Sequence, residues 1–342
     1  MQRIFSLRQG ALAVALIGFS GIASAGLTSA GIFTGNVGLS IDGIGGNDNN
    51  VGSVDAKIPV GATILKAYLY SAGVPVTYPN SPTTLNDYNT TGITLNGSAI
   101  TNFDTLVGAT STRPDITGWK TARADVTSLV QNWTAGAATD TFSWAVTEGT
   151  RNSAIDGEVL AIVYSHASRP TGSVVLLNGG QNTGGETTTV NFGSPISDPN
   201  AVGFAAEFGL GISFSCCGAQ ISNVDVNGQA LTRFAGNHDD GLQLADGSLI
   251  TVGGLGDDPA NNVANYDDDD ELYDLRPYLQ DGDTSFSIFT RNPTDDDNIF
   301  FASLYITAEV SDVNNDVPEP GVLSLMLAGL GIASVIGRRR RV

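Results

Sequence analysis

The chain has 342 residues, with 16 Lys and Arg against 35 Asp and Glu, and its net charge is −19. This acidic balance argues against nucleic-acid binding, because phosphate recognition needs clustered cations. The two His and two Cys leave few ligands for zinc or iron–sulfur clusters and few groups for histidine-based catalysis. The length suffices for one large domain or two ordinary ones.

The first 25 residues are typical of a secretory signal peptide. Arg3 and Arg8 precede an apolar stretch over residues 11–19, and Ala23 and Ala25 form a small-residue cleavage motif before Gly26. A short buried helix is the alternative interpretation. We expect signal peptidase to cleave before Gly26 and the rest of the chain to be exported.

The body of the chain is predicted to be all-β, a β-sandwich or jelly roll. Residues 64–70 alternate as in a half-buried strand, whereas the apolar run over 159–164 suits a strand that is buried on both faces. Further apolar runs are also predicted to form strands that are buried on both faces, at residues 174–177, 286–290 and 299–306. Turn signals separate the runs, among them Asn96-Gly97, Asn178-Gly179-Gly180, Asn227-Gly228, Asp246-Gly247 and Asp281-Gly282.

Two short helical patterns interrupt the predicted strands. Asp125 is a candidate cap for a helix with one apolar face, formed by Val126, Leu129, Val130 and Trp133. A smaller pattern follows Asp274, with Leu275, Tyr278 and Leu279. Neither pattern is long enough to organise a domain.

Three segments recur in the same order and indicate two related β-units. Residues 96–103 align with 227–234, with identities at Asn, Gly, Ala, Thr and Phe; 125–143 align with 274–287, and 156–164 with 297–305. The general likeness of β-hairpins is the alternative explanation. We place the first unit at residues 26–205 and the second, acidic unit at 206–316.

The first unit resembles β-rich modules of bacterial and archaeal surface proteins. The resemblance rests on residues 58–62 with 66–70 and on 157–165 with 173–179. Ser71 stands where the usual pattern has Trp. The resemblance implies an exported β-module and brings no catalytic residues with it.

Acidic residues concentrate in the second unit and suggest a calcium site. Residues 225–316 hold twenty Asp and Glu but three Arg, and carboxylate clusters in exported loops suit Ca²⁺. No EF-hand loop is present in the sequence. The best candidates are Asp295 and Asp297, which directly precede an apolar strand. A solvated acidic surface is the alternative, and no cofactor is required by any other feature.

The sequence contains little that favours catalysis. Neither His166 nor His238 belongs to a G-x-S-x-G or H-E-x-x-H motif. The adjacent Cys216 and Cys217 are expected to be thiols near an apolar segment, with a strained disulfide as the alternative. Glycoside hydrolysis needs two carboxylates, and 35 acids do not single out a pair. We therefore predict a non-enzymatic protein, with a lectin-like module or a carbohydrate-active enzyme as the alternative.

The last 26 residues form a second targeting signal. Pro318, Glu319 and Pro320 lead into an apolar run over 322–336, which Arg338, Arg339, Arg340 and Arg341 follow. The run predicts a short transmembrane helix, and the arginines should stay on the cytoplasmic side. An ordinary short membrane anchor is the alternative to a sorting signal.

This tail resembles the PEP-CTERM sorting signal of Gram-negative bacteria. The resemblance implies that an exosortase recognises the Pro-Glu-Pro motif and removes the tail, and that the source makes exopolysaccharide. The precursor would then sit in the inner membrane, and the mature body would reach the periplasm, cell surface or extracellular matrix. We expect a structural or adhesive protein that is associated with exopolysaccharide.

Overall fold

The computed structural model describes residues 26–45, 51–77, 84–85, 88–106, 118–149, 154–214, 222–236, 249–260, 271–295 and 297–316. Twenty-two strands and two short helices form this part of the chain. The elements that precede residue 166 are β1 Thr28–Gly35, β2 Val37–Ile44, β3 Val51–Lys57, β4 Thr63–Gly73, β5 Val76–Thr77, β6 Thr84–Leu85, β7 Ile93–Leu95, β8 Ser98–Ala99, β9 Asp104–Leu106, β10 Lys120–Asp125, α1 Thr127–Thr134, β11 Thr141–Glu148 and β12 Gly157–Ser165. The remaining elements are β13 Gly172–Asn178, β14 Glu186–Phe192, β15 Ala206–Ser213, β16 Ser222–Val226, β17 Gln229–Ala235, β18 Ile250–Val252, β19 Leu272–Asp274, a 3₁₀ helix Arg276–Tyr278, β20 Ser285–Arg291, β21 Asn298–Ile306 and β22 Val310–Asp316.

The strands form two units with the same order, each made of an inner and an outer antiparallel sheet. In the first unit the inner sheet runs β2-β12-β4-β10 with β9 at its edge, and the outer sheet runs β3-β11-β7-β8. In the second unit β13-β21-β15-β19 and β14-β20-β16-β17 repeat this order. Counted within each unit, the orders are 1-8-3-6 and 2-7-4-5, which is the connectivity of an eight-stranded jelly roll. The all-β fold with two related units is therefore confirmed.

The sheets divide the chain earlier than the predicted boundary at residues 205/206. Strands β13 and β14 precede that boundary, yet they pair with β21 and β20 of the second unit. The hydrogen-bonding pattern thus changes between β12 and β13. The stretch between β14 and β15, which contains the predicted boundary, is a connection within one jelly roll.

The two inner sheets pack against each other, so the molecule has four layers and three hydrophobic cores. One core lies inside the first unit and one inside the second. The third joins the units and includes Tyr70 and Phe301, whose ring centroids are 4.9 Å apart. Because the inner sheets have a core on either side, their strands β12, β13 and β21 are buried along almost their whole length.

This layering explains which strand predictions succeeded. Strands β12, β13 and β21 are buried on both faces, as predicted. The expectation for residues 286–290 was wrong in this respect, because β20 lies in an outer sheet and alternates between buried and half-buried residues. Strand β4 alternates only at its beginning and is buried on both faces from Ala67 onward.

The predicted helices and turns lie at equivalent places in the two units. In α1, Val130 is buried and Trp133 packs against the core of the first unit. Asp125 lies just before the helix, and its carboxylate accepts a hydrogen bond from the Thr127 N–H at 2.9 Å. The second helical pattern forms a single 3₁₀ turn. The pairs Asn96-Gly97 and Asn227-Gly228 have left-handed backbone angles, as two-residue hairpin turns require.

Two additional strands bring the ends of the body together. Strand β1 pairs with β13, and β22 pairs with β14. The N–H of Leu27 donates to Glu186 Oε1 at 3.3 Å, and Asn315 Nδ2 donates to Glu186 Oε2 at 3.4 Å. Asn315 Nδ2 also donates to the Leu27 carbonyl. The buried Glu186 side chain therefore connects the residue before the first strand with the last strand.

Among the residues that the structure describes, no helix is both long and apolar enough to cross a bilayer.

Candidate functional site

A cavity of about 240 Å³ lies where the inner sheets of the two units meet. Both units and the connections between their strands contribute to its wall. The lining residues are Leu39, Ser40, Ile41, Lys57, Tyr164, Arg169, Glu207, Gly253, Gly254, Leu255, Leu272, Ser303 and Tyr305. The volume corresponds to roughly eight water molecules and is below the ~300–1,000 Å³ of sites for drug-sized ligands. It suits a single small polar group.

Hydroxyl groups from both units line the inner part of the cavity. Ser40 and Tyr164 come from the first unit, and Ser303 and Tyr305 come from the second; all four residues are buried. The Tyr164 ring occupies space that is left by Gly38, where an added Cβ would lie 2.6 Å from the Tyr164 Cζ. A glycine at position 38 is therefore needed for this ring to take its place.

Arg169 provides the main positive charge of the cavity. It lies on the connection between β12 and β13, and its Cζ stands 4.8 Å from the centroid of the Tyr305 ring, within the range of a cation–π contact. Its Nε atom is buried and has no hydrogen-bond partner among the described residues. The guanidinium group is therefore held over Tyr305 with a donor left unsatisfied.

Glu207 is the one carboxylate that the described residues contribute to the cavity lining. It is half-buried on β15 and lies opposite Tyr305 on one neighbouring strand and Asp274 on the other. Burial raises the pKa of Glu207, whereas the positive charge of Arg169 acts in the opposite direction. Arg276 forms a bidentate contact with Asp274 next to this position. The cavity thus combines an acceptor, a cation and hydroxyl groups in a partly apolar wall.

A group of buried acids in the first unit escaped the sequence analysis. Glu148, Asp156 and Glu158 are all nearly inaccessible to solvent. Burial, reinforced by the charge of Glu148, raises the pKa of both Asp156 and Glu158 well above the ordinary range. Glu158 Oε1 accepts a hydrogen bond from Ser71 Oγ at 3.3 Å. None of these acids lines the cavity. The charge of each residue was visible in the sequence, but its burial was not.

The predicted calcium ligands occupy different environments. Asp297 is fully buried just before β21, and its Oδ2 accepts a hydrogen bond from Ser222 Oγ at 3.0 Å. Asp295 lies in a turn with a positive φ of 53°, and its N–H donates to Asn292 Oδ1 at 2.6 Å. The structure brings a further buried acid, Glu271, close to this place.

Gly236 lies between two buried acids of the second unit, Glu271 and Asp297. Its N–H donates to Glu271 Oε1, and a Cβ added to it would lie 3.2 Å from Asp297 Oδ2. Within the described ranges, no group of three or more His, Cys, Asp or Glu residues is arranged to hold a metal ion. Calcium binding at Asp295 and Asp297 stays a prediction.

Several predicted functional residues lie outside the described residues. They include Ala23 and Ala25 of the signal peptide, Cys216, Cys217 and His238, and the whole tail with Pro318, Glu319, Pro320 and Arg338 to Arg341. Gly26 is the first described residue. His166 belongs to a turn, where its Nδ1 lies 2.7 Å from Ser168 Oγ.

Comparison with known proteins identifies the tail. Residues 316–341 match the family model of the PEP-CTERM protein-sorting motif. The chain therefore carries a PEP-CTERM sorting signal, as predicted, and this signal marks an exported protein that an exosortase processes at the cell envelope. No curated protein matches the chain.

Proposed function

We propose that this protein is a non-enzymatic component of the cell envelope or extracellular matrix that binds exopolysaccharide. The observation that carries the proposal is the cavity between the two jelly rolls, which combines Tyr, Ser, Arg and Glu side chains in a space suited to one small polar group. Aromatic rings beside a few convergent polar groups are a common composition of ligand sites. The role is adhesive or structural.

The sorting signal supports the cellular setting of this proposal. The PEP-CTERM motif accounts for an exported protein that is anchored in the membrane as a precursor and then processed. In the proposed route, signal peptidase cleaves before Gly26 and the exosortase removes the tail near Pro320. The mature body then lies in the periplasm or at the surface of a Gram-negative cell, where exopolysaccharide is available.

The cavity favours binding over hydrolysis of a sugar. Glycosidases generally place two carboxylates on either side of the scissile bond, roughly 5–10 Å apart. Among the described residues, the cavity lining contains a single carboxylate, Glu207. A hydrogen-bond acceptor without a second acid suits recognition.

A glycan array with a parallel hydrolysis assay tests this function. The purified protein is applied to bacterial exopolysaccharides and related oligosaccharides, and the same glycans are assayed for newly formed reducing ends. We expect binding to a subset of glycans without release of reducing ends. Release would establish a carbohydrate-active enzyme instead, and lack of binding to every glycan would refute the proposed function.

Intact-mass spectrometry of protein from the native host tests the processing route. We expect a species that begins at Gly26 and ends near Pro320. A mass that includes the arginine-rich tail would contradict exosortase processing.

A further inference from the structure

We propose that the cavity between the two units recognises a sugar that bears a carboxylate, such as a uronic acid, and that Arg169 binds this carboxylate. This inference rests on the proposed function, because it specifies which class of sugar the site takes. It makes Arg169 the residue that determines specificity, with Glu207 and the Ser hydroxyls oriented toward the rest of the sugar.

The first argument is the unsatisfied donor on Arg169. Its Nε–H group is buried without an acceptor among the described residues, and a buried donor in this state costs about 1–3 kcal/mol. A carboxylate satisfies Nε and a neighbouring terminal nitrogen together, since the planar guanidinium matches its two oxygens. The contact with Tyr305, at 4.8 Å from Cζ to the ring centroid, already holds the group in place. Because Nε is inaccessible to solvent in this structure, the side chain must shift toward the cavity for the carboxylate to reach it.

The second argument is the local charge. Six of the sixteen Lys and Arg residues lie in the two targeting segments, which leaves ten in the body. Two of these ten, Lys57 and Arg169, line this one small cavity, and neither takes part in an ion pair between described residues. A chain with a net charge of −19 repels anions over most of its surface. These two cations outnumber Glu207 in the described lining, so the cavity favours a negatively charged ligand.

The third argument concerns the remainder of the ligand. Glu207 offers oxygens that accept hydrogen bonds from sugar hydroxyls, and the buried Ser303 adds a hydroxyl to the wall. Leu255 is 40% exposed at the same cavity and presents apolar surface to the C–H groups of a sugar ring. A simple inorganic anion would use the cations alone. The cavity also offers a carboxylate, hydroxyls and apolar surface beside its cations. This combination fits an acidic sugar better than a simple inorganic anion.

Calorimetric titration of the purified full chain with paired probes tests the inference. The probes are an oligogalacturonate and its fully methyl-esterified form, which lacks the carboxylate charge and carries a methyl group in its place. We expect the acid to bind at least tenfold more tightly than the ester. We also expect Arg169→Gln to lose at least tenfold in affinity for the acid and little for the ester. Arg169→Lys, which keeps the charge and loses the bidentate geometry, should lie between the two.

Two controls make the outcomes decisive. Arg233→Gln removes one cation from the outer sheet of the second unit, where Arg233 pairs with Asp225, and should leave the affinity unchanged. Thermal unfolding of each variant verifies that the fold is intact. The inference is overturned if acid and ester bind equally, if Arg169→Gln binds the acid within twofold of the wild type, or if poly-γ-glutamate competes as well as the sugar acid.

These results separate the inference from the proposed function. Binding to neutral exopolysaccharides on the array, without preference for the acid, would refute the carboxylate site and leave exopolysaccharide binding standing. Lack of binding to any glycan would refute both.

Discussion

Replacing Glu186 by Gln should change how the stability of the protein depends on pH. Glu186 is 1% exposed, and its carboxylate contacts Leu27 near the first strand and Asn315 on the last strand. Burial raises its pKa from an ordinary 4.5 to about 7, against the effect of the hydrogen bonds that it accepts. The folded protein therefore holds a proton on this side chain at pH values where the unfolded chain has released it.

The sign and size of the change in stability follow from the raised pKa of Glu186. Between pH 4.5 and 7 the folded state binds more protons than the unfolded state. The contribution of protonated Glu186 to the free energy of unfolding is therefore complete below pH 4.5 and is lost as the pH rises to 7. The difference between the ordinary pKa of 4.5 and the pKa of about 7 in the folded protein corresponds to about 3 kcal/mol in the free energy of unfolding. Glutamine does not titrate, so the Glu186→Gln variant lacks this loss. Relative to the wild type, it should gain about 3 kcal/mol across this pH window.

Chemical denaturation of both proteins at a series of pH values measures the difference. The quantity of interest is its change with pH, because Gln also alters the hydrogen bond to Asn315 and adds a constant offset. Glu309→Gln, at an exposed position just before β22, is the matched control and should follow the wild type. If wild type and Glu186→Gln give parallel curves between pH 4.5 and 7, Glu186 is ionised in the folded protein and the reasoning fails.

Three further predictions concern packing, the contact between the units and calcium. Gly73→Ala places a Cβ 1.8 Å from a backbone carbonyl oxygen and should lower the free energy of unfolding by about 3 kcal/mol, as chemical denaturation can measure. Gly97→Ala is the control, because its added carbon meets open space. Its positive φ should limit the loss to about 1 kcal/mol. Arg123→Met removes a 2.7 Å hydrogen bond to Asn178 of the second unit and should lower the free energy of unfolding by about 2 kcal/mol; an unchanged value would show that this bond contributes little. If Ca²⁺ binds at Asp297, saturating calcium should raise the melting temperature of the wild type and not of Asp297→Asn, and an unaffected wild-type melting temperature would count against the site.

The repeated architecture could be predicted from the sequence because it depends on local signals. An Asn-Gly pair that forms the two-residue turn of a hairpin adopts left-handed angles, as Asn96-Gly97 and Asn227-Gly228 do. A continuous apolar run is similarly informative, since a strand such as β12 must have a core on either face. These signals depend on residues close together in the chain, so one sequence is sufficient to detect them.

The cavity and the exact division of the chain could not be predicted, because both depend on which strands meet. Arg169 and Glu207 are isolated charged residues in the sequence, 38 positions apart, and only the packing of the inner sheets brings them to one cavity. The burial of β20 was overestimated for the same reason, since its apolar residues do not reveal whether it lies in an inner or an outer sheet. The 205/206 boundary was placed from recurring segments, which do not reveal which strands pair.

The cavity is built from residues of both units. Its wall combines Leu39 and Tyr164 of the first unit with Glu207 and Tyr305 of the second, so neither unit alone contains it. Alongside it, the core between the inner sheets holds the units in a fixed relation. Close-packed protein interiors are rigid and hardly compressible. The distances across the cavity are therefore set by this core rather than by a flexible linker. The site therefore depends on the rigid association of the two jelly rolls, and a change that loosens their shared core should weaken binding even if it leaves every cavity residue in place.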